Sequence, residues 1–195
     1  MARPPGSTAE DTRARILAVA LELVSEQGFA GASIRDLAER LDLTTAAMYY
    51  HFASKDALLD ALVAPLVDGL TELSRQALAG ELDEEEILTR LLDVLSGEGA
   101  KAMGVLRGDP SAVSRLKTRL GPDRMFAGIV RALAGSDDSE AQLRATCAAG
   151  TVQGAVFASA HAFEGRPGTW PGFDDRQRSV VVAAALAALR SGQAD

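Results

Sequence analysis

Glycine, proline and acidic residues interrupt this 195-residue chain at intervals suited to helix ends, and between the interruptions apolar residues recur at three- and four-residue spacing. Nowhere do β-branched and polar residues alternate for long enough to argue for a sheet. The expected class is therefore all-α, with a core made by packing helix on helix. With 47% of its residues apolar, the chain has enough to bury a sizeable core. Its longest apolar run, Val180 to Leu189, is half alanine and falls well short of the roughly 18 residues of a bilayer span. No membrane partner is expected. The N-terminus passes from Arg3, Pro4, Pro5 and Gly6 to Glu10 and Asp11 without an apolar stretch, so no secretory leader is expected either. A single cysteine, Cys147, excludes an intrachain disulfide and a multi-cysteine zinc site, and it suits a cytoplasmic location.

The helix signals divide the chain. Residues 1–8 read as a flexible arm. A first helix is predicted from about Glu10 to Gln27, with Ile16, Leu17, Ala20, Leu21 and Val24 on one face and Gly28 as its C-terminal cap. Ser33 with Asp36 forms a capping pattern for a short second helix whose Ile34, Leu37, Ala38 and Leu41 fall at i, i+3, i+4, i+7. Asp42 is a turn residue, Thr44 an N-cap, and Thr45 to His51 a third helix of about two turns. Ser54 caps a fourth that continues toward Ala79, with a kink expected at Pro65. Asp83 with Glu86 opens a helix to about Ser96, and Asp109 with Pro110 opens another that Gly121 and Pro122 end. Helices from about Asp123 to Ala134 and from Ser139 to Phe163 follow, then a Pro/Gly-rich loop from Glu164 to Phe173 and a last helix from about Asp174 to Arg190. The organisation expected is an arm (1–8), a small three-helix domain (9–54) and a larger helical domain (55–195).

Residues 33–52, SIRDLAERLDLTTAAMYYHF, have the parts of a helix pair that reads DNA: a short apolar-faced helix, a tight turn, and a second helix with a polar leading edge. Ala38 is small where the helices cross, and Leu43 and Met48 point inward to hold them together. Thr44, Thr45, Tyr50 and His51 are left for the outer face, where hydroxyls, an imidazole and aromatic rings suit phosphate oxygens, base edges and thymine methyl groups. Phe52 reads as core, the staple between the third and fourth helices. Charge opposes a simple basic-patch account, because 20 basic and 27 acidic residues give a formal net charge of −7. Residues 1–56 hold six Lys/Arg and eight Asp/Glu. DNA binding must then rest on where particular residues sit.

From about Thr12 to Leu59 the chain resembles the DNA-binding domain of the tetracycline-repressor (TetR) family of bacterial regulators. The matching pieces, in order, are Gly28-Phe29, Ser33-Ile34-Arg35-Asp36-Leu37-Ala38, Met48-Tyr49-Tyr50-His51-Phe52 and Lys55-Asp56-Ala57-Leu58-Leu59. The resemblance implies an all-helical homodimer in which the remaining chain forms a ligand-binding and dimerisation domain, with a ligand usually releasing DNA. It covers about a quarter of the chain. Carried over residue by residue, it assigns phosphate contacts to Ser33, Thr44, Tyr49 and Lys55 and base-edge contacts to Thr45, Ala46 and Tyr50, with His51 placed for either. Asp42 departs from the pattern, since the family usually has glycine in that turn. Aspartate enters the left-handed region less easily and adds a negative charge near DNA.

The competing classes leave weaker traces. For an enzyme, Cys147 and His161 are the only thiol and the only histidine outside the DNA-binding segment, and 14 residues of helix hold them about 21 Å apart. No His-Glu-x-x-His spacing occurs, and Gly97-Glu98-Gly99-Ala100-Lys101 lacks the Gly-Lys-Ser/Thr of a phosphate loop. No catalytic residue, metal or cofactor is expected. Glu84, Glu85 and Glu86 read as an acidic helix N-terminus, and Arg115, Lys117 and Arg119 as a cationic last turn, with anchoring of an acidic ligand or extra DNA contacts as the alternatives. A helical interaction module is the third class. Gly150, Gly154, Ala158 and Ala162 form a flat stripe at i, i+4 spacing, and Val181, Ala184, Ala185, Ala188 and Leu189 offer a complementary face, so the two together resemble a four-helix dimer interface. Leu62, Leu66, Met103, Leu106, Met125, Phe126, Phe157, Phe163 and Trp170 are the candidates to line an apolar ligand cavity, most of them as ordinary core. The resulting expectation is a repressor released from a palindromic operator by a small, largely apolar ligand.

Overall fold

Local capping chemistry sets where the helices begin. The computed structural model describes residues 8–97, 102, 110, 114, 122–162 and 171–192, and eight helices have their bounds among these. Helix α1 (Ala9–Gly31) is capped by Thr8, whose hydroxyl accepts from the Asp11 amide while the Asp11 carboxylate accepts from the Thr8 amide. The predicted stop at Gly28 is a bend in the chain instead. Gly28 sits at φ 74°, ψ 163°, outside helical space, and a further turn to Gly31 follows in a new direction. That turn carries Phe29 into the core at 3% exposure. Only glycine adopts that backbone without strain.

Helix α2 (Ile34–Leu41) starts on the predicted Ser33–Asp36 capping box. Asp42 ends it in the left-handed region at φ 53°, ψ 41°, and two bonds close the end: the Leu43 amide to the Ala38 carbonyl at 2.9 Å and the Asp42 amide to the Glu39 carbonyl at 3.3 Å. This is the Schellman arrangement, with Leu43 and Ala38 as its apolar pair. Helix α3 (Thr45–His51) is capped by the Thr44 hydroxyl, and α4 (Lys55–Leu78) by that of Ser54. Helix α5 (Glu84–Ser96) begins on the Asp83–Glu86 box. Helix α6 (Pro122–Ala134) starts on the proline itself, whose fixed φ and missing amide suit a first helical position. Asp138 caps α7 (Ser139–Ala162), its carboxylate accepting from the amides of Glu140 and Ala141. Asp174 with Gln177 caps α8 (Asp175–Arg190). Of the helix predicted after Asp109, only Pro110 and Ser114 are described, and both are helical. Arg115, Lys117 and Arg119, most of the arm, and most of the loop predicted from Glu164 lie outside the described residues.

Two cores result. The first gathers Ile16, Ala20, Leu23 and Val24 of α1 with Phe29, Leu37, Ala38, Leu41, Met48 and Phe52, and it takes Leu58, Leu59, Leu62 and Val63 from α4. The second joins Leu70, Leu73 and Ala77 of α4 to α5, α6, α7 and α8. Helix α4 thus belongs to both. It runs unbroken through Pro65, which lies exposed where the buried face of the helix passes from one core to the other. Helix α4 packs closely on α6, and α7 lies between α6, α5 and α8. Where α4 meets α6 the approach depends on Gly128, since a β-carbon there would lie 2.0 Å from the Ser74 hydroxyl oxygen and 3.3 Å from the Ser74 Cβ. Ion pairs between Arg178 and Asp93 and between Arg190 and Glu84 fasten α8 to α5.

Candidate nucleic-acid interface

The inner face of α3 is anchored and its outer face is bare. Met48 is fully buried, Phe52 is 2% exposed just after the helix, and Leu43 is half-buried against the same core. These three inward placements agree with the sequence expectation. Outward, Thr44, Thr45 and Ala46 are exposed on the first turn. Tyr49 is 52% and Tyr50 82% exposed on the last, with the His51 ring edge-on to Tyr50 at 5.3 Å between centroids. The period of 3.6 residues explains the division within the helix: 45, 46, 49 and 50 share a flank turned away from Met48, while Thr44 precedes the helix in extended backbone and stays exposed. The Thr44 hydroxyl is already committed to the backbone, accepting from the Ala47 amide at 3.1 Å.

Two of the expected phosphate ligands have structural work as well. The Ser33 hydroxyl accepts from the Asp36 amide at 3.1 Å and donates to the Asp36 carboxylate at 2.7 Å, which completes the cap of α2. Lys55 donates from Nζ to the Ala30 carbonyl at 3.3 Å and lies 4.4 Å from the centroid of the Phe29 ring, so its half-buried head ties the start of α4 to the end of α1. Other cations near α2 face acids: Arg40 is paired with Glu26 and Arg35 with Glu39. The Glu26 carboxylate raises the Arg40 guanidinium above its ordinary value.

One contact had no signal in the sequence. Arg13, near the start of α1, donates from Nη1 to the His51 carbonyl at 2.9 Å, and its guanidinium lies 4.2 Å from the centroid of Phe52. His51 lies 38 residues from it in sequence, and Phe52 follows directly.

The candidate ligand and dimer residues are distributed less evenly. Leu62 is buried in the first core, while Leu66 and Phe126 are partly buried against the second and Phe157 is half-buried on α7. Met103, Leu106, Phe163 and Trp170 lie outside the described residues, as do the side chains of Met125 and Ala162. On α7, Gly150, Gly154 and Ala158 are exposed, and a β-carbon at either glycine would meet nothing within 4 Å. On α8, Val181, Ala185 and Leu189 point into the second core of the same chain, Ala188 is half-buried against it, and Ala184 is exposed. The apolar residues that α8 turns outward are Val180, Ala183, Ala184 and Ala187. Among the described residues no three His, Cys, Asp or Glu side chains gather to hold a metal ion, and no helix is long and apolar enough to cross a membrane.

Residues 16–62 match the model of the bacterial regulatory proteins of the tetR family. The class C tetracycline repressor protein of Escherichia coli is 44% identical over 55 residues, 28% of this chain and 25% of that protein. This chain spans less than half the length of the curated relatives it matches. Solved structures extend the likeness across the rest. Mycobacterium smegmatis AmtR, 25% identical, superposes with a TM-score of 0.62 over 100% of this chain and 92% of that one. The ketosteroid transcriptional regulator KstR2 of Mycobacterium tuberculosis, 17% identical, shares the fold with a TM-score of 0.62 over 96% of this chain and 97% of that one. Residues 16–62 thus carry the DNA-binding segment of the tetR family of bacterial regulatory proteins, and the helices that follow share the architecture of these solved regulators.

Proposed function

We propose that this chain is a transcriptional repressor that binds palindromic operator DNA as a homodimer and is released from it by a small, largely apolar ligand. The observation that carries the DNA-binding reading is Tyr50, 82% exposed beside Thr45, Ala46 and Tyr49 on a helix anchored from its other side by the fully buried Met48. A large ring held in water on a firmly packed helix lends nothing to the fold, and a groove edge gives it both stacking and hydrogen-bond partners. Ser33, Thr44, Tyr49 and Lys55 take the phosphate contacts in this reading, and Thr45, Ala46, Tyr50 and His51 the base edges.

A second copy supplies the symmetry. The exposed Gly150, Gly154 and Ala158 of α7, with Leu143 at 63% exposure, and the outward Val180, Ala183, Ala184 and Ala187 of α8, a helix packed on α7, offer the two faces. Two such helix pairs form a four-helix interface and set two recognition helices about 34–36 Å apart, or at a longer spacing. For release, the continuous helix α4 joins the first core, which holds α3, to the second, where Leu66 and Phe126 sit. A ligand wedged against the distal half of α4 moves its N-terminal end and with it the spacing of the two α3 helices. The ketosteroid regulator among the structural neighbours fits a largely apolar ligand class, since a steroid skeleton is mostly hydrocarbon.

The test is selection of binding sites from random duplexes followed by mobility shift across a salt series. The expected result is an inverted repeat bound with steep salt dependence, and asymmetric sites only, or a monomer by sizing at micromolar concentration, would refute the proposal. The ligand mechanism is tested by titrating a compound found by thermal-shift screening with and without the selected duplex. Linkage requires operator to weaken ligand by the same factor that ligand weakens operator. Equal ligand affinity in both titrations would exclude release by that compound.

A further inference from the structure

We infer that Arg13 is a positioning residue for DNA reading, a latch from α1 that holds the last turn of α3 in its DNA-facing conformation. Helix α3 is seven residues long, far below the roughly 12–15 that stand alone in water. Its first turn is secured by Thr44, and its middle by buried Met48. The last turn carries the exposed Tyr49 and Tyr50, yet the chain leaves the helix immediately afterwards, with Phe52 at φ −138°, ψ 111°. Carbonyls at such an end have lost their helical donors. The Phe52 amide closes one, that of Met48, at 2.9 Å. Arg13 closes another by donating to the His51 carbonyl at 2.9 Å, and it brings positive charge to the negative end of the helix. The same guanidinium rests on the Phe52 ring, which at 2% exposure is a platform fixed by the core. One side chain therefore grips both the last helical residue and the staple that follows it. Arg13 acts on DNA through Tyr49 and Tyr50, without touching a phosphate.

This inference rests on the DNA-binding reading, and its test separates the two. The first arm needs no DNA. Amide hydrogen exchange is compared in the full chain between wild type, Arg13→Ala and Arg13→Lys. Faster exchange from Tyr49 to Phe52 in Arg13→Ala is expected, with Ile16, Ala20 and Val63 unchanged and partial recovery in Arg13→Lys. Unchanged exchange at Tyr49 to Phe52 would overturn the latch. The second arm measures affinity for the duplex that wild type selects from random DNA, at several salt concentrations. Arg13→Ala should lose about three- to tenfold, the scale of a single exposed cation–π contact or hydrogen bond, with the salt slope kept. A slope lowered by about one would mean a direct phosphate contact and would overturn the positioning role. A wild-type chain that selects no duplex would overturn the regulator reading, while the exchange arm would still decide whether the latch exists.

Discussion

Substitution at Asp42 tests how far the turn between α2 and α3 departs from its best residue. Asp42 is the one non-glycine residue with positive φ among the described residues, at φ 53°, ψ 41°. An ordinary L-residue there costs about 1–2 kcal/mol, and a short polar side chain such as aspartate costs less. Glycine removes that strain, but its greater freedom in the unfolded chain gives back about 0.5–1 kcal/mol. The expected change for Asp42→Gly is therefore a gain of about 0.5 kcal/mol, and for Asp42→Ala a loss of about 0.5–1 kcal/mol. The charge contributes little to the fold, because Asp42 follows the negative end of α2 and precedes the positive end of α3, and the two effects oppose each other. Asp42→Asn should then stay near wild type in stability. Urea unfolding followed by circular dichroism reads the order, and thermal midpoints should separate glycine from alanine by about 3 °C or more for a chain of this size. Alanine as stable as glycine would refute the argument, since it would mean that the left-handed geometry carries no cost. The DNA readout differs: both Asp42→Gly and Asp42→Asn remove an anion near the phosphates and should tighten binding alike.

Other predictions concern packing, recognition and charge. Gly128→Ala should destabilise the chain by about 1–2 kcal/mol, overpacking against Ser74 outweighing the gain in helix propensity. A second change, Ser74→Gly, should recover about 1 kcal/mol or more in a double-mutant cycle read by urea unfolding. Lys55→Ala should weaken all duplexes about equally and lower the salt slope by about one, whereas Thr45→Ala or Tyr50→Ala should reorder preference among sequences in a binding-site selection. The Glu72 carboxyl, bonded to Arg75, is held below the ordinary glutamate range. Its stabilising contribution is therefore present at neutral pH and lost as pH falls through that lowered midpoint. Nuclear magnetic resonance titration of Arg75→Gln should return the Glu72 midpoint to the ordinary value.

What the sequence by itself determined was local. Ser33 with Asp36, Thr44, Ser54, Asp83 with Glu86 and Asp174 act within one turn of their own helix, so residue types at three-residue spacing suffice to place them. The same holds for the outward Thr45 and Tyr50 and the inward Met48, which follow from the helical period once α3 is placed. Asp42 as a strained turn was legible for the same reason. Tertiary structure decided everything in which two distant segments choose each other. Alanine on several sides of α8 makes its two faces nearly equivalent in hydrophobicity, so only packing against α5 and α7 sends Val181, Ala185 and Leu189 inward and leaves Val180, Ala183 and Ala187 outside. Gly28, read as an end, became a bend because Phe29 gains more from burial than the helix loses by turning. The close crossing at Gly128 and the grip of Arg13 on His51 and Phe52 leave no periodic trace, since each depends on side chains that meet only after the helices have packed.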